Sequence, residues 1–332
     1  MSALPVAGLL TKAEDTVGTI GKPTHYDRFQ AILTAGVFQT MTPTFAIPPT
    51  FLGSTLNPAA ARICVAGVPL DLGTTNRSGA REGPHAVRRA SRMLVDGDNP
   101  ANWRDPRTLG LADVGDFAIA LGDLPGSLSL IADQAAQYAH LVTIGGDHSI
   151  TLGLLRALAQ RCGPVGIVHF DAHVDTWPDS FGQPLGHGSV FYRAIVEGLV
   201  DPRRMIQIGI RSPVERAVYD WTLAQGVRIV TAEEVHETGP RAVAAQVHAV
   251  LASGPAYLSF DIDAIDPGQA PGTGTPEVGG LCTWQVMAIL KRLEGIDFRG
   301  MDLVEVAPAY DVAEITALAG ASVIWQYLCL HP

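Results

Sequence analysis

The chain has 332 residues, 47% of them hydrophobic and only 17% charged, which excludes a disordered polymer and allows a large core in one domain or two. Lys and Arg number 23 against 33 Asp and Glu, for a net charge of −10. The basic residues are scattered, which argues against a nucleic-acid partner and is compatible with a small cationic substrate. No apolar run approaches the ~18–20 residues that span a bilayer, and Met1 to Leu10 lack the positive start of a signal peptide. Cys64, Cys162, Cys282 and Cys329 lie far apart with no C-x-x-C pair, so neither a thiolate zinc site nor a disulfide framework is expected, and a cytoplasmic location fits.

Residues 1–60 carry breaks at Pro43, Pro48 and Pro49 and only a short helix-like pattern around Tyr26 to Leu33, and read as an N-terminal arm. From residue 61 to 332 short apolar runs alternate with helical spacing. The runs are Ile63–Val68, Leu141–Ile144, Val165–Phe170, Met205–Ile210, Ala256–Phe260 and Met301–Val306. Helical patterns follow at Pro84–Leu94, Thr151–Gln160 and Val312–Tyr327. This alternation predicts a single α/β domain of three layers, αβα, with a mostly parallel central sheet buried on both faces.

Acidic residues and histidines cluster directly after these runs. Gly145-Gly146-Asp147-His148-Ser149 follows the second, Asp171-Ala172-His173-Val174-Asp175 the third, and Asp261-Ile262-Asp263 closes the fifth. Ligands of open parallel sheets bind beyond the carboxyl ends of the strands, so three remote segments can deliver side chains to one spot. In an extended stretch, residues i, i+2 and i+4 face one side, which brings Asp171, His173 and Asp175 together. Carboxylates this crowded repel one another unless a strong positive charge sits between them. Two histidines and four aspartates suit two divalent ions of the Mn, Fe, Co, Ni or Zn type. His169, inside a strand, is read as packed or as supporting a ligand; His25, His85, His140, His236 and His248 are read as surface or core residues.

These three segments, together with Ser259-Phe260-Asp261-Ile262-Asp263-Ala264-Ile265-Asp266-Pro267, resemble the signatures of the ureohydrolase (arginase/agmatinase) family. The run Ala270–Leu281 is similar to its agmatinase branch. The resemblance spans Val65 to Leu330 and implies an arginase-like fold. It implies one metal on His148, Asp171, Asp175 and Asp261 and a second on His173, Asp171, Asp261 and Asp263, with Asp171 and Asp261 bridging. The cofactors implied are two Mn²⁺ ions, or Ni²⁺ as in some relatives acting on small guanidines.

The reaction implied is hydrolysis of a guanidino group to urea and an amine. Glu305 matches the carboxylate that pairs with the substrate guanidinium, the alternative being a strand-end glutamate in a surface ion pair. His187 matches a proton shuttle to the departing amine, the alternative being an exposed loop histidine. Asp147 is read as orienting the neighbouring ligands. In the Gly-rich stretch Asp71–Pro84, Glu82 stands where relatives often carry an aromatic residue.

The loop from Thr176 to Leu185 lacks the Asn/Ser/Thr-rich character with which arginases hold an α-amino acid. A small guanidino compound other than arginine is expected: agmatine, guanidinobutyrate, guanidine, an alkylguanidine or a biguanide. Trp177 either stacks on a flat cation or packs on its loop. Competing readings are a related binuclear-metal hydrolase of amides or acyl-polyamines, a metal-storage protein, and a non-catalytic paralogue subunit. The family resemblance further implies a homo-oligomer, trimer or hexamer, or a hetero-oligomer with a paralogue.

Overall fold

The computed structural model describes residues 49–332; the helix-like pattern at Tyr26 to Leu33, the breaks at Pro43 and Pro48, and His25 lie outside the described residues. Eight strands form one sheet: β1 Ile63–Val68, β2 Leu111–Asp116, β3 Leu141–Gly145, β4 Val165–Phe170, β5 Val200–Ile210, β6 Arg228–Thr231, β7 Ala256–Asp261 and β8 Phe298–Val304. Their order is β2-β1-β3-β8-β7-β4-β5-β6, and every neighbouring pair is parallel. The helices are α1 Gly83–Ser91, α2 Leu124–Ala135, α3 Ile150–Cys162, α4 Val190–Val196, α5 Arg216–Ala224, α6 Ala232–Leu251, α7 Thr283–Leu290 and α8 Ile315–Leu328.

Period-two alternation builds the three layers. In β1, Ile63 and Val65 enter one core while Cys64, Ala66 and Val68 enter the other; in β4, Val168 and Phe170 oppose Val165 and Ile167. The first core is closed by α1, α6, α7 and α8, the second by α2, α3 and α4. Strands β1, β3, β4 and β7 are buried along their whole length, which is why they read as continuous apolar runs. The edge strands do not. β2 becomes exposed towards its end and β6 has four residues, so neither carries that signature.

The described residues ahead of β1 are tied to the sheet and to α1. Phe51 and Leu52 are buried; the Phe51 N–H donates to Asp113 Oδ2 at 2.7 Å and the Leu52 N–H to Ser91 Oγ at 2.9 Å. Arg88 of α1, itself buried, holds Asp113 of β2 through two bonds of 2.8 and 2.9 Å and also pairs with Asp116. All four cysteines are free thiols. Among the described residues no helix is long and apolar enough to cross a membrane.

Part-buried His140, just before β3, accepts the Tyr327 hydroxyl at 2.8 Å beside the ring of His331. Burial first, then His331 and nearby arginines, lower its pKa from 6.5 to about 3. Between those values the folded state binds fewer protons at this ring than the unfolded chain, so stability is full above pH 6.5 and declines as pH falls through the window. At pH 5 the loss is ~2 kcal/mol. His140→Gln should therefore lose less Tm than the parent between pH 7.5 and pH 5; other acid-sensitive groups are common to both proteins and cancel. Equal losses would refute the assignment.

Candidate metal centre and active site

The strands β3, β8, β7 and β4 are consecutive neighbours in the sheet, and each ends at or just before a residue singled out from the sequence. His148 follows β3, Glu305 follows β8, Asp261 closes β7 with Asp263 two residues on, and Asp171, His173 and Asp175 follow β4. Segments far apart in sequence thus converge beyond the carboxyl ends of four adjacent strands. The approach needs Gly146, because a Cβ there would lie 2.1 Å from the carbonyl oxygen of Leu70. Strand β8 stops at Val304 rather than running to Val306, and Glu305 takes a left-handed φ of 64°.

Asp175 also has a left-handed φ, 50°, and Asp263 sits in a 3-10 turn, Ile262–Ala264. The same-side arrangement expected from an extended chain is therefore replaced by bends. The chain turns each side chain back toward the centre, at a cost of ~1–2 kcal/mol per left-handed non-glycine residue. Asp171 is the exception in kind, fixed through its β4 neighbour His169.

His148 is fully buried. Ser259 Oγ donates to Asp302 Oδ1 at 2.7 Å and so accepts from His148 Nε2 at 2.9 Å. That turns Nδ1 toward Asp175 Oδ2 at 2.9 Å, Asp171 Oδ2 at 3.2 Å and Asp261 Oδ2 at 3.4 Å; burial opposes the charged ring, but these carboxylates outweigh it and hold the pKa of His148 well above its usual value until a cation takes the proton's place. Buried Asp302 also takes the hydroxyls of Thr151 at 2.7 Å and Tyr257 at 2.8 Å, so its orientation is set by three donors. Gln207 Nε2 reaches both the Val174 carbonyl, 2.6 Å, and His169 Nδ1, 3.2 Å. His169 must then donate from Nε2 to Asp171 Oδ2, 2.7 Å away. His169 is thereby a support for Asp171 rather than a lone-pair donor.

His173 Nδ1 lies 3.2 Å from Asp171 Oδ1 and 3.1 Å from Asp263 Oδ2. Two groups have ligand atoms spaced to hold a metal ion: His148, His169, Asp171 and Asp175, and Asp171, His173 and Asp263. Asp171 belongs to both. Asp261 falls outside that spacing but approaches the first group through His148.

Burial, then Asp263 and Asp171, push the Asp261 carboxyl well above its usual range; burial and Asp171 also raise Asp263. Buried carboxylates and imidazoles gathered around one point, sharing protons among themselves, have the donor set of a transition-metal site. The residues fit divalent metal ions.

Beside the cluster, Glu305 is buried rather than in a surface ion pair, and His187 is buried rather than in an exposed loop. Glu305 Oε1 accepts the His148 N–H at 2.9 Å and pairs with His187 Nδ1 at 2.8 Å; Oε2 is buried with no partner. His187 Nε2 meets Thr75 Oγ1 at 2.7 Å. Burial opposes the charged imidazole, but Glu305 and more distant carboxylates outweigh it and raise the pKa of His187 to about 9. Asp147 takes the Gly73 N–H at 2.7 Å and the Ser149 N–H at 2.9 Å, tying the β1 and β3 loops together without facing the cluster.

The groups open into a cleft of about 950 Å³ walled by Trp177, Phe181, Pro213 and Val214. Trp177 donates to Glu215 Oε2 at 2.6 Å. Sequence reading overlooked Ser259, Tyr257, Asp302, Gln207, Thr75 and Glu215. Only Ser259 had a signal, its place two residues before Asp261 on a strand, where it faces the same side.

Residues 61–329 match the family model described as "Arginase family". Guanidinobutyrase of Pseudomonas aeruginosa is 44% identical over 80% of this chain and 85% of that protein. Mitochondrial agmatinase of Gallus gallus is 44% identical over 80% of each. The crystal structure of a hypothetical agmatinase from Burkholderia thailandensis superposes with a TM-score of 0.81 at 42% identity, covering 87% of this chain and 92% of that one. The three-layer fold and the family resemblance read from the sequence both hold.

The hydroxyl network makes a prediction separate from any reaction. Ser259→Ala removes the acceptor that orients the His148 ring and keeps its Nε2 hydrogen in place, and divalent-metal affinity should fall by ~10–100-fold. Titration of the metal-stripped protein followed by calorimetry measures this. Unchanged affinity would show that Ser259 does not set the tautomer.

Proposed function

We propose that this chain, which belongs to the arginase family, is a metal-dependent hydrolase that releases urea from a small guanidino compound other than arginine. The observation that carries the reading is the unpartnered, buried Oε2 of Glu305 beside a cluster of histidines and aspartates. A carboxylate accepts two parallel N–H bonds from a guanidinium, and an acceptor buried without a partner favours a ligand that supplies one.

One ion would be held by His148, Asp171, Asp175 and Asp261 and the other by His173, Asp171, Asp261 and Asp263. The mixture of imidazole and carboxylate favours Mn²⁺ or Ni²⁺ over the all-oxygen preference of Mg²⁺. When bound, the ions supply the positive charge that the buried carboxylates lack and lower the pKa of the attacking water. Glu305 fixes the guanidinium, its own Oε1 locked by the His148 N–H and by His187. This matters because the resonance-stabilised guanidinium carbon is a poor electrophile and needs a fixed approach. His187, held protonated by Glu305, gives a proton to the departing amine. The names of the relatives, guanidinobutyrase, agmatinase and guanidinopropionase, support this reaction class.

Trp177, Pro178, Phe181, Pro213 and Val214 give the cleft an apolar wall with few partners for an α-ammonium and α-carboxylate together, which disfavours arginine. The free cysteines support a cytoplasmic location, and residues 61–332 are read as one catalytic domain preceded by an arm, with a homo-oligomer as the working assembly.

Asp171→Asn and Asp261→Asn should each abolish urea release and remove much of the bound metal, measured by elemental analysis of the purified variants. Normal turnover at full metal content would overturn the ligand assignment. After chelation, Mn²⁺ or Ni²⁺ should restore activity better than Mg²⁺; full recovery on Mg²⁺ alone would contradict the two histidine ligands. Assay against a panel of guanidines tests the reaction, and arginine as the best substrate would refute the reading of the cleft.

A further inference from the structure

Beyond the guanidine-binding end, the cleft has a mouth whose charge is one-sided. Its lining includes Asp179 and Glu215, and among the described residues that line it there is no Lys or Arg. The guanidinium groups around it are held by other partners, although those bonded only to carbonyls keep their charge. Arg193 donates to the carbonyls of Pro184 and Pro178, at 2.8 and 3.2 Å; Arg216 pairs with Asp220 at 2.7 Å; Arg211 is spent on the carbonyls of Asp263 and Glu277. Arg77 lies over the Tyr310 ring at 4.4 Å.

Glu215 is not a loose surface carboxylate. Its Oε2 takes the indole N–H of Trp177 at 2.6 Å across 38 residues of sequence, while the Trp177 backbone N–H is anchored on the Gly188 carbonyl at 3.1 Å, next to His187. The same indole bond holds the carboxyl of Glu215 below its usual pKa, so it stays ionised at neutral pH. The wall residue and the charge at the mouth are therefore one unit, fixed relative to the reacting end of the cleft. Trp177 and Glu215 line the same cleft as His187, the partner of Glu305, so they stand where the tail of a substrate held at Glu305 can run.

We infer that the Trp177–Glu215 pair sets tail selectivity, admitting guanidines with uncharged alkyl or cationic tails and rejecting those that end in a carboxylate. The inference rests on the guanidine-hydrolase reading above. A carboxylate arriving at this mouth meets Asp179 and Glu215 with no Lys or Arg in the lining itself, Arg193 being turned to the carbonyls of Pro178 and Pro184, whereas an alkyl or ammonium tail meets an aromatic face and a counter-charge. Because the mouth is open to solvent, the discrimination is electrostatic and screened by salt.

The test compares kcat/KM for three guanidines with four-carbon tails: agmatine, butylguanidine and 4-guanidinobutyrate, with the metal-loaded enzyme at low and high salt. The parent should favour butylguanidine over 4-guanidinobutyrate by ~10-fold or more at low salt, and less at high salt. Glu215→Gln should shrink that ratio several-fold and remove most of its salt dependence. Trp177→Phe, which keeps the ring but frees the carboxylate, should shift the ratio the same way by less. If 4-guanidinobutyrate is the best of the three in the parent, or if Glu215→Gln leaves the ratio and its salt dependence unchanged, the selectivity assignment is wrong while guanidine hydrolysis stands. Urea from none of the three would bring down the hydrolase reading, and this inference with it.

Discussion

Everything at the centre of this protein follows from the crowding of buried carboxylates at the ends of four adjacent parallel strands. Asp171, Asp175, Asp261 and Asp263 share one water-poor space, where burial and neighbouring carboxylates oppose the ionisation of Asp261 and Asp263. Such a cluster is a liability to folding unless positive charge is drawn into it. The surrounding structure is arranged for that end: one nitrogen of His148 and one of His173 face the carboxylates, and Ser259 holds the far side of the His148 ring.

This division of labour extends two shells outward. Asp302 aligns Ser259, Ser259 takes the Nε2 hydrogen of His148, and the remaining nitrogen is turned to the carboxylates; on β4, Gln207 and His169 do the corresponding work for Asp171. A single proton in the wrong place on any of these rings would turn an acceptor into a donor. The rigidity of the strands carrying them, paired on both sides, is what makes such proton bookkeeping dependable. The Trp177–Glu215 pair sits elsewhere, on the loops after β4 and β5.

The sequence made the buried strands and the cluster legible for one reason: rare residue types stand immediately after unbroken apolar runs, and metal chemistry has few other uses for His and Asp at that spacing. The edge strands were not legible, because β2 mixes Asp and Gly with its apolar residues and β6 is a four-residue piece. Helix α6 was obscured by Gly239-Pro240, which interrupts it. Asp302 read as an ordinary strand residue, since nothing in its own neighbourhood shows that three hydroxyls from β7 and α3 point at it. The Trp177–Glu215 bond is a tertiary fact between loops and leaves no local trace. Extended alternation, used to bring Asp171, His173 and Asp175 together, reached the right grouping through the wrong geometry, because the left-handed turn at Asp175 is a property of the assembled site.

The sheet order also governs when the centre can exist during synthesis. Strand β8 is the last to leave the ribosome and the one that slots between β3 and β7, where Leu141 pairs with Gly300 and Leu258 with Met301. Until it arrives, the chain holds two sheet fragments with open inner edges, β1–β3 on one side and β4–β7 on the other, each exposing unpaired backbone and apolar faces. Glu305 and Asp302 enter with that final strand, so His148 gains its aligned tautomer only when the two fragments are zipped together. A nascent chain stalled before β8 is therefore both sticky and incapable of presenting its inner ligand set, and completion of the sheet and maturation of the centre are a single late event.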